Sequence, residues 1–423
     1  MKTLVIGTGG REHALALALS RDPHVTEVHA APGNPGIARV AELHEVDQLD
    51  GAAVASLASS LGIDLVVVGP EAPLVAGVAD AVRDAGIACF GPGAEAAQLE
   101  GSKAFAKQVM AAAEVPTALA RVCATPEQVA DALDAFGPPY VVKDDGLAAG
   151  KGVVVTADRE AARSHAAGLL DAGHPVLLES FLDGPEVSLF AITDGQTVLP
   201  LQPAQDFKRA YDSDAGPNTG GMGAYTPLDW APDDLVEEVS RRVLIPTVKE
   251  MAARGTPFSG LLYAGLALTS RGVRVVEFNA RFGDPETQAL LALLETPLSA
   301  LLMGAAQGTL GEVGLPQWRE GAALTVVVAA ENYPDSPVKG DVIEGIDEAE
   351  EIEGVDVIQA GTSVDADDRL VTAGGRVLAV TAVGDSLAQA RERAYAGVDR
   401  ISIRGAHHRT DIALAAERGE IAL

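Results

Sequence analysis

The first hundred residues alternate between short apolar strands and helical periods. The strand candidates are TLVIG, VTEVHAA, IDLVVVG and IACFG, and helical patterns such as APLVAGVADAVRDAG lie between them. Apolar strands joined by helices favour a parallel sheet that is covered on both faces. Each strand ends in a loop rich in glycine or proline, and such loops carry the ligand in open α/β sheets. The pattern therefore predicts an N-terminal domain with a ligand crevice at one edge of its sheet.

The first of these loops, GTGGREH, leaves open which phosphate it binds. Gly7 and Gly9 supply the first two glycines of a dinucleotide fingerprint, but Glu12 occupies the third position, where helix and strand need close packing. The second strand candidate also ends in AAP, whereas a dinucleotide site would have an acidic residue there to bind the ribose. The remaining features are a tight turn, a helix N-terminus and Arg11, which suit one terminal phosphate on a small molecule. A purely structural strand–helix turn is the alternative.

Length, charge and composition limit the number of domains and the kinds of partner. A chain of 423 residues is long enough for about two to four domains. The formal net charge of −29 opposes contact with nucleic acid or anionic lipid. The sequence contains no apolar run of about 18 residues and no signal-peptide pattern, and Cys89 and Cys123 suit buried apolar positions. We expect a cytoplasmic monomer that binds small molecules, with no nucleic-acid or membrane partner.

The stretch VVKDDGLAAGKGVVV, residues 141–155, combines two lysines with a glycine-rich loop. A P-loop would continue into Ser or Thr and a helix, whereas Gly152 and a strand follow here. A loop between two strands can fold over a triphosphate, so that its backbone N–H groups meet the phosphate oxygens. Lys143 would then bind an inner phosphate and Lys151 an outer one, and Lys103 is a third candidate.

The segment LLESFLDGPEVS follows about 25 residues later. It places an apolar strand before a polar hinge and Glu186. Backbone groups on a strand edge can recognise adenine, and a carboxylate can bind ribose hydroxyls. The order of lysine, glycine loop and glutamate therefore fits ATP, although this segment alone would also fit a surface turn.

The stretch VVEFNARFGDPETQ, residues 275–288, offers a metal site. Side chains two apart on a strand share a face, so Glu277 and Asn279 present hard oxygen ligands together, suited to the Mg²⁺ (or Mn²⁺) that accompanies nucleotide phosphates. Arg281 follows on that face, where it would neutralise a developing phosphoryl charge or bind a substrate carboxylate. Asp284 lies in the turn beyond. A strand that ends in a salt-bridged loop is the alternative.

The polar segment QDFKRAYDSDAGPNTGGMGAYTP, residues 205–227, interrupts an otherwise apolar region. Long loops of this kind are usually functional or disordered. Asp206, Lys208 and Arg209 offer both charges for a zwitterionic ligand, and the glycines around Gly221 allow close approach of the backbone. The eight histidines show no spacing typical of a metal site.

Together these stretches resemble the phosphoribosylamine–glycine ligases (glycinamide ribonucleotide synthetases), which are ATP-grasp enzymes of purine biosynthesis. The matching stretches follow the family order over nearly the whole chain: GGREHALA, APGN, VGPEAPLV, QLEGSKAF, DGLAAGKGV, GPNTGGMGAY, GLLYAGL, EFNARFGDPETQ and AGT. The resemblance implies that ATP phosphorylates the glycine carboxylate to an acyl phosphate. The amine of 5-phosphoribosylamine then attacks it, which gives glycinamide ribonucleotide, ADP and phosphate.

The resemblance also implies an α/β, ATP-grasp fold in three parts. They are an N-terminal Rossmann-like parallel-sheet domain over residues 1–102, an ATP-grasp domain over 103–315 and a small C-terminal α+β domain over 320–423. The ATP-grasp domain would contain a mobile ATP-binding lobe at about 120–190. An acyl phosphate hydrolyses easily, so we expect this lobe to close as a lid.

Site residues follow from the same resemblance. The implied ATP-binding residues are Lys103, Lys143, Gly146, Gly150, Lys151, Gly152, Glu179, Phe181, Leu182 and Glu186. The implied substrate-binding residues are Gly9, Gly10, Arg11, Glu12, Asn34, Glu71, Asp206, Lys208, Gly221 and Arg281, of which the first six would bind the sugar phosphate. The implied metal ligands are Glu277 and Asn279, and the implied catalytic residues are Arg281, Lys151 and Asp284.

Two positions depart from the family pattern. Asp144 replaces a common alanine beside the phosphate loop, where an inward-pointing anion would weaken nucleotide affinity, and Phe207 replaces a common histidine. The rival interpretations are an ATP-grasp carboxylase that uses biotin or bicarbonate and a non-catalytic nucleotide-binding regulator.

Overall fold

The computed structural model of the chain describes residues 1–146 and 152–423. Its N-terminal part is a parallel sheet in the order β3-β2-β1-β4-β5. The strands are β1 (Lys2–Gly7), β2 (Glu27–Pro32), β3 (Glu42–Leu43), β4 (Leu65–Val68) and β5 (Ala88–Phe90). The helices are α1 (Gly10–Ser20), α2 (Gly51–Leu61), α3 (Glu71–Val75), α4 (Val78–Asp84) and α5 (Ala94–Gly101). Val5 packs in one core cluster and its neighbours Leu4 and Ile6 in another, so β1 is buried on both faces.

Two helical stretches are each divided into two helices. The stretch predicted as one helix at residues 72–86 forms α3 and α4, with Gly77 between them at φ +85°. Residues 94–112, which include the motif QLEGSKAF, form α5 and α6 (Lys103–Ala112), with Ser102 between them. The Ser102 hydroxyl accepts a hydrogen bond from the Phe105 backbone N–H and so caps α6. A serine at this point favours a new helix start over a continuous helix.

The next part of the chain is a small antiparallel sheet in the order β6-β9-β7-β8. Its strands are β6 (Ala120–Cys123), β7 (Tyr140–Asp144), β8 (Val153–Thr156) and β9 (Val176–Glu179), and its helices are α7 (Pro126–Phe136) and α8 (Arg159–Asp171). Cys123, Leu133 and Leu178 belong to a core cluster of their own within this sheet and its helices. The predicted loop residues Gly150 and Lys151 lie outside the described residues.

A larger antiparallel sheet follows, in the order β11-β10-β16-β17. The strands in this region are β10 (Glu186–Asp194), β11 (Val198–Pro200), β12 (Gln205–Asp206), β13 (Arg209–Tyr211), β14 (Ala215–Asn218), β15 (Gly223–Thr226), β16 (Ser259–Thr269) and β17 (Gly272–Asn279). The helices are α9 (Leu235–Val239), α10 (Ile245–Ala253), α11 (Glu286–Leu293) and α12 (Leu298–Gln307). The partner of Glu277 on β16 is Gly265, and the partner of Asn279 is Tyr263.

The last sheet joins distant parts of the sequence, in the order β12-β15-β18-β22-β19. Its C-terminal region contains β18 (Ala322–Ala329), β19 (Val355–Gln359), β20 (Thr362–Val364), β21 (Leu370–Thr372) and β22 (Arg376–Gly384), with α13 (Ile346–Glu350), α14 (Leu387–Val398) and α15 (Leu414–Glu417). Because β15 pairs with β18, the glycine-rich segment 205–227 is hydrogen-bonded directly to the C-terminal region. Within residues 1–146 and 152–423, no helix is long and apolar enough to cross a membrane.

Candidate active site

A cleft of about 360 Å³ lies where these sheets meet. The N-terminal domain, α6, the small sheet, the glycine-rich segment and β17 all contribute to its lining. The predicted site residues that line it are Arg11, Glu71, Lys103, Lys143, Gly146, Gly152, Glu179, Asp206, Lys208, Glu277, Asn279, Arg281 and Asp284. Residues predicted from at least five separate stretches of the sequence are therefore brought to one place.

Other predicted residues do not line the cleft. In the part of the chain that the structure describes, these are Gly9, Gly10, Glu12, Asn34, Phe181, Leu182, Glu186 and Gly221. Phe181 belongs to the segment between β9 and β10 and is 48% exposed. Glu186 opens β10 and forms an ion pair with Lys208 at 2.6 Å, so it is connected to the cleft through that lysine.

The turn before α1 is occupied by its own glutamate. The Glu12 carboxylate accepts a hydrogen bond from the Gly9 N–H at 2.6 Å and pairs with the Arg11 guanidinium at 2.5 Å. A Cβ atom at Gly7 or Gly69 would collide with the Glu12 side chain. These two glycines therefore make room for the bulky residue at the third position of the fingerprint. Arg11 still lines the cleft, and its guanidinium also donates to the Phe282 carbonyl at 3.2 Å.

Asn34 connects the first loop to the C-terminal region. Its side-chain amide donates to the Thr8 carbonyl at 2.8 Å and to the Gln359 carbonyl at 3.0 Å. The Gln359 N–H donates in turn to Nδ1 of His13 at 2.8 Å, and burial lowers the pKa of His13 to about 4. The Asn34 amide protons are therefore already used to position the loop. Sequence analysis missed Gln359, which carries no motif of its own.

A buried carboxylate with two lysines lies at the nucleotide side of the cleft. Glu179 forms ion pairs of 2.5 Å with both Lys143 and Lys107. Burial would raise the pKa of Glu179, but the two ammonium groups outweigh it and hold the pKa below its usual value. Lys107 was not predicted, although it follows Lys103 by one helical turn on α6 and so shares a face with it.

Asp144 does not line the cleft itself and contacts His174 and the turn at Gly146. Its carboxylate lies 3.0 Å from Nδ1 of His174 and accepts a hydrogen bond from the Gly146 N–H at 3.2 Å. Burial raises the pKa of Asp144, but these partners outweigh it and leave the pKa lowered. Lys103 reaches the other side of the same turn and donates to the Gly146 carbonyl at 2.9 Å. The Asp144 carboxylate, which departs from the family pattern, is thus paired with His174 and the Gly146 N–H.

The predicted metal ligands line the cleft together. Glu277 and Asn279 both face it from β17, as the two-residue spacing predicted. Their oxygens are the hard donors that Mg²⁺ prefers, and in proteins substrate phosphates and water commonly complete such a coordination shell. The donor set therefore fits the metal. Asn279 Oδ1 also accepts a contact from the Arg281 guanidinium at 3.5 Å.

Arg281 is held between two carboxylates. It pairs with Glu100 at 2.8 Å and with Glu71 at 3.3 Å. Burial raises the pKa of Glu100 despite the guanidinium, whereas at Glu71 the cations Arg281 and Arg11 outweigh burial and lower the pKa. Glu100 also accepts the Ala280 N–H at 2.7 Å. Sequence analysis missed Glu100, which lies three residues before Lys103 at the end of α5.

Asp206 and Lys208 place opposite charges in the cleft. Burial raises the pKa of Asp206 to about 7, since Lys208 compensates it only in part and Glu286 adds negative charge. At Lys208 burial acts to lower the pKa, but Glu186 and Asp206 outweigh it and raise the pKa.

Arg376 joins the C-terminal region to the catalytic turn. Its guanidinium donates to the Asp284 carbonyl at 2.7 Å and the Gly220 carbonyl at 2.6 Å, and it lies 3.4 Å from the Asp284 carboxylate. Asp284 also accepts from the Gln288 side chain at 2.9 Å. Burial would raise the pKa of Asp284, but Arg376 and Arg11 lower it. Arg376 was not predicted, since it opens β22, an ordinary apolar strand.

Comparison with known proteins identifies the family. Three models of phosphoribosylglycinamide synthetase match the chain in order: the N domain over residues 1–100, the ATP-grasp domain over 101–287 and the C domain over 323–415. The chain belongs to the phosphoribosylglycinamide synthetase family. The resemblance found in the motifs is thereby confirmed.

Relatives agree with this family over the full length. The phosphoribosylamine–glycine ligase of Streptomyces coelicolor is 66% identical over 98% of this chain and 99% of its own. That of Mycobacterium tuberculosis is 58% identical over 100% of both chains. The crystal structure of the Thermotoga maritima phosphoribosylamine–glycine ligase matches with a TM-score of 0.85 and 33% identity, over 98% of this chain and 100% of that one.

The fold is shared more widely than the family. A biotin carboxylase from Campylobacter jejuni, solved as a β-γ-ATP complex, matches with a TM-score of 0.72 at 15% identity, over 98% of this chain and 95% of that one. This likeness concerns the fold alone. The predicted ATP-grasp fold with its parallel-sheet N-terminal domain and C-terminal domain is confirmed, and family membership separates the synthetase from the carboxylases.

Proposed function

We propose that this synthetase ligates glycine to 5-phosphoribosylamine at the expense of ATP, which gives glycinamide ribonucleotide, ADP and phosphate. The observation that carries the proposal is the shared cleft. It brings Arg11 of the first loop, the lysines Lys103 and Lys143, and the oxygen ligands Glu277 and Asn279 to one site. A sugar phosphate, a nucleotide and a metal can therefore meet there.

The reaction needs an activated carboxylate. The γ-phosphoryl group of ATP passes to a carboxylate oxygen of glycine and ADP leaves. The amine of 5-phosphoribosylamine attacks the carbonyl carbon, and phosphate leaves with that oxygen. Such a sequence needs positioning and charge neutralisation more than a nucleophilic side chain.

Each part of the cleft suits one reactant. Arg11 and the N-terminus of α1, with Gly9, Gly10, Glu12 and Glu71 around them, suit the sugar phosphate. Asp206, Lys208, Gly221, Arg281 and Asp284 suit the zwitterionic glycine. The segment from Glu179 through Phe181 and Leu182 to Glu186 suits adenosine, and Gly146 and Gly152 in the cleft lining suit the phosphates. Gly150 and Lys151 lie outside the described residues, and their assignment to the phosphates rests on the sequence motif. Mg²⁺ or Mn²⁺ on Glu277 and Asn279 would neutralise phosphate charge.

The second lysine on Glu179 explains how Lys143 can serve a phosphate. Leaving a buried carboxylate without a partner is costly. Because Lys107 also pairs with Glu179, Lys143 can turn toward a nucleotide while the carboxylate stays compensated. This makes Lys143 a cation that is held ready in the cleft.

Other features belong to the same proposal. They are the domain bounds 1–102, 103–315 and 320–423, closure of the lobe at about 120–190, the cytoplasmic location and the monomeric state. The separate core of the small sheet supports movement of the lobe as a unit.

The test is ADP release from Mg²⁺-ATP with glycine and freshly generated 5-phosphoribosylamine. Release should need both substrates, and mass spectrometry should find glycinamide ribonucleotide. Bicarbonate in place of glycine should give no ADP, which distinguishes the reaction from that of a carboxylase. A folded Glu277→Gln variant should lose turnover. ADP release that ignores the amine, or no release with both substrates, would overturn the proposal.

A further inference from the structure

A cluster of metal-type ligands lies at the outer edge of the N-terminal sheet. His29 on β2 is the register partner of Glu42 on β3, and His44 follows Glu42 by two residues. Alternation along an extended chain puts Glu42 and His44 on the same side. Sequence spacing alone gave no sign of a metal site among the histidines, because strand pairing brings together ligands that are far apart in the chain.

The distances suit a single small cation. Nδ1 of His29 lies 3.0 Å from Nε2 of His44. Oε2 of Glu42 lies 3.8 Å from His29, and Oε1 of Glu42 lies 3.9 Å from His44. One ligand atom from each of the three residues can be chosen so that all lie within 4.8 Å of one another. Ligands of a tetrahedral zinc ion lie about 3.4 Å apart when each bond is about 2.1 Å. The three distances lie on either side of that value.

A fourth residue prepares one histidine for this role. Nε2 of His29 lies 3.4 Å from the carboxylate of Glu27, which precedes it by two residues on β2 and also pairs with Lys2 at 2.8 Å. A proton held on Nε2 by Glu27 leaves the Nδ1 lone pair of His29 directed at His44. Metal-binding histidines commonly have a carboxylate partner of this kind on the other ring nitrogen.

Burial and chemistry indicate which metal would bind. The His29 side chain is 6% exposed and His44 16%, whereas Glu42 is 70% exposed and leaves the cluster open to solvent on one side. Two imidazoles and one carboxylate favour Zn²⁺ and similar transition metals over Mg²⁺, which prefers oxygen ligands. Three protein ligands leave one position for water.

We propose that His29, Glu42 and His44 form a zinc site, oriented by Glu27, that is separate from the active site. Among the described residues that line the catalytic cleft, none belongs to this cluster. The ion would link β2 to the short edge strand β3. It would thereby fix both ends of the segment 30–41, which carries Asn34 and its contacts to the first loop and β19.

The test is Zn²⁺ binding to the full, untagged chain, measured by equilibrium dialysis with metal analysis in excess Mg²⁺. Mg²⁺ occupies oxygen-ligand sites such as Glu277 and Asn279. The wild type should bind one Zn²⁺ per chain and should be stabilised against heat by it. Co²⁺ at the same site should give visible absorption bands of a low-coordinate complex.

Variants identify the ligands. Glu42→Gln, at an exposed position, and His44→Gln should both lose stoichiometric Zn²⁺ and the Co²⁺ bands. Glu27→Gln should weaken binding about 10- to 100-fold. The matched control His408→Gln changes a histidine outside the cluster and should bind as the wild type does. Urea unfolding of each variant in the presence of a metal chelator checks that the variant is folded without bound Zn²⁺. A wild type that binds no Zn²⁺, or folded Glu42→Gln and His44→Gln variants that bind it normally, would overturn the proposal.

Discussion

At the scale of single residues, the cleft is governed by how its buried charges are compensated. Glu179 has two lysines, Arg281 has two carboxylates, and Asp206 has one lysine among several acids. Where a buried charge has two partners, one partner can turn to a ligand while the other still compensates the buried charge. A shortage of partners shows instead as a raised carboxyl pKa, as at Asp206.

Lys107→Met tests the spare partner at Glu179. Lys143 would then be the remaining ammonium group in ion-pair contact with that carboxylate and would be held away from ATP. A charge-assisted interaction of about 1.5–3 kcal/mol predicts a KM for ATP raised about tenfold or more, with kcat changed less. Steady-state kinetics measures this. Lys107→Arg keeps the charge and should restore much of the affinity, whereas an unchanged KM in Lys107→Met would argue against the role.

Asp206→Asn tests the raised pKa. The folded carboxyl has its pKa near 7, while the unfolded one titrates near 3.8, so the folded state holds a proton that the unfolded state releases between these values. Asp206 therefore lowers stability progressively as pH rises from about 4 to 7. The variant should gain stability relative to the wild type from pH 5 to pH 8 by about 1–2 kcal/mol, since solvent in the cleft screens part of the effect. Urea unfolding at the two pH values measures the gain, and a constant difference would contradict it.

At the scale of elements, the sequence predicts strands better than helix boundaries. Each N-terminal strand candidate became a strand, because its apolar run is buried on both faces. The stretch around Ser102 kept its apolar period across the break, and only the serine indicated the new start. Helix α6 then begins where Lys103 can reach the Gly146 carbonyl.

Ser102→Ala tests that boundary. Loss of the hydroxyl removes the acceptor of the Phe105 N–H and should lower the free energy of unfolding by about 1 kcal/mol. Ser102→Thr keeps an oxygen at the cap and is the matched control. Equal stability of Ser102→Ala and wild type in chemical unfolding would show that the cap contributes nothing.

At the scale of the whole molecule, the site depends on pairings between distant segments. The motif residues Arg11, Lys143 and Glu277 were all found from local patterns, since a glycine turn or a two-residue spacing marks each one. Arg376 and Gln359 carry no local mark. Arg376 reaches the Asp284 carbonyl because β15 pairs with β18, and Gln359 reaches Asn34 because β19 lies against the first loop. Pairing between distant segments leaves no periodic pattern in the sequence, so it could not be predicted.

Arg376→Met tests the link between the C-terminal region and the catalytic turn. It removes the donor shared by the Gly220 and Asp284 carbonyls and should lower kcat about 10- to 100-fold, because small misplacement of reacting groups is costly. KM for ATP should change less. Arg369→Met, at an exposed arginine paired with Asp365, is the control and should keep full activity. A folded Arg376→Met variant with wild-type kcat would exclude the positioning role.

In the proposed reaction, one cleft converts the glycine carboxylate to an acyl phosphate and then to an amide. Glycine labelled with oxygen-18 in both carboxylate oxygens tests this sequence, with complete reaction mixtures analysed by mass spectrometry. We expect each phosphate released to carry one labelled oxygen and glycinamide ribonucleotide to keep the other. Unlabelled phosphate, with ADP formed at the normal rate, would contradict transfer of the phosphoryl group to glycine.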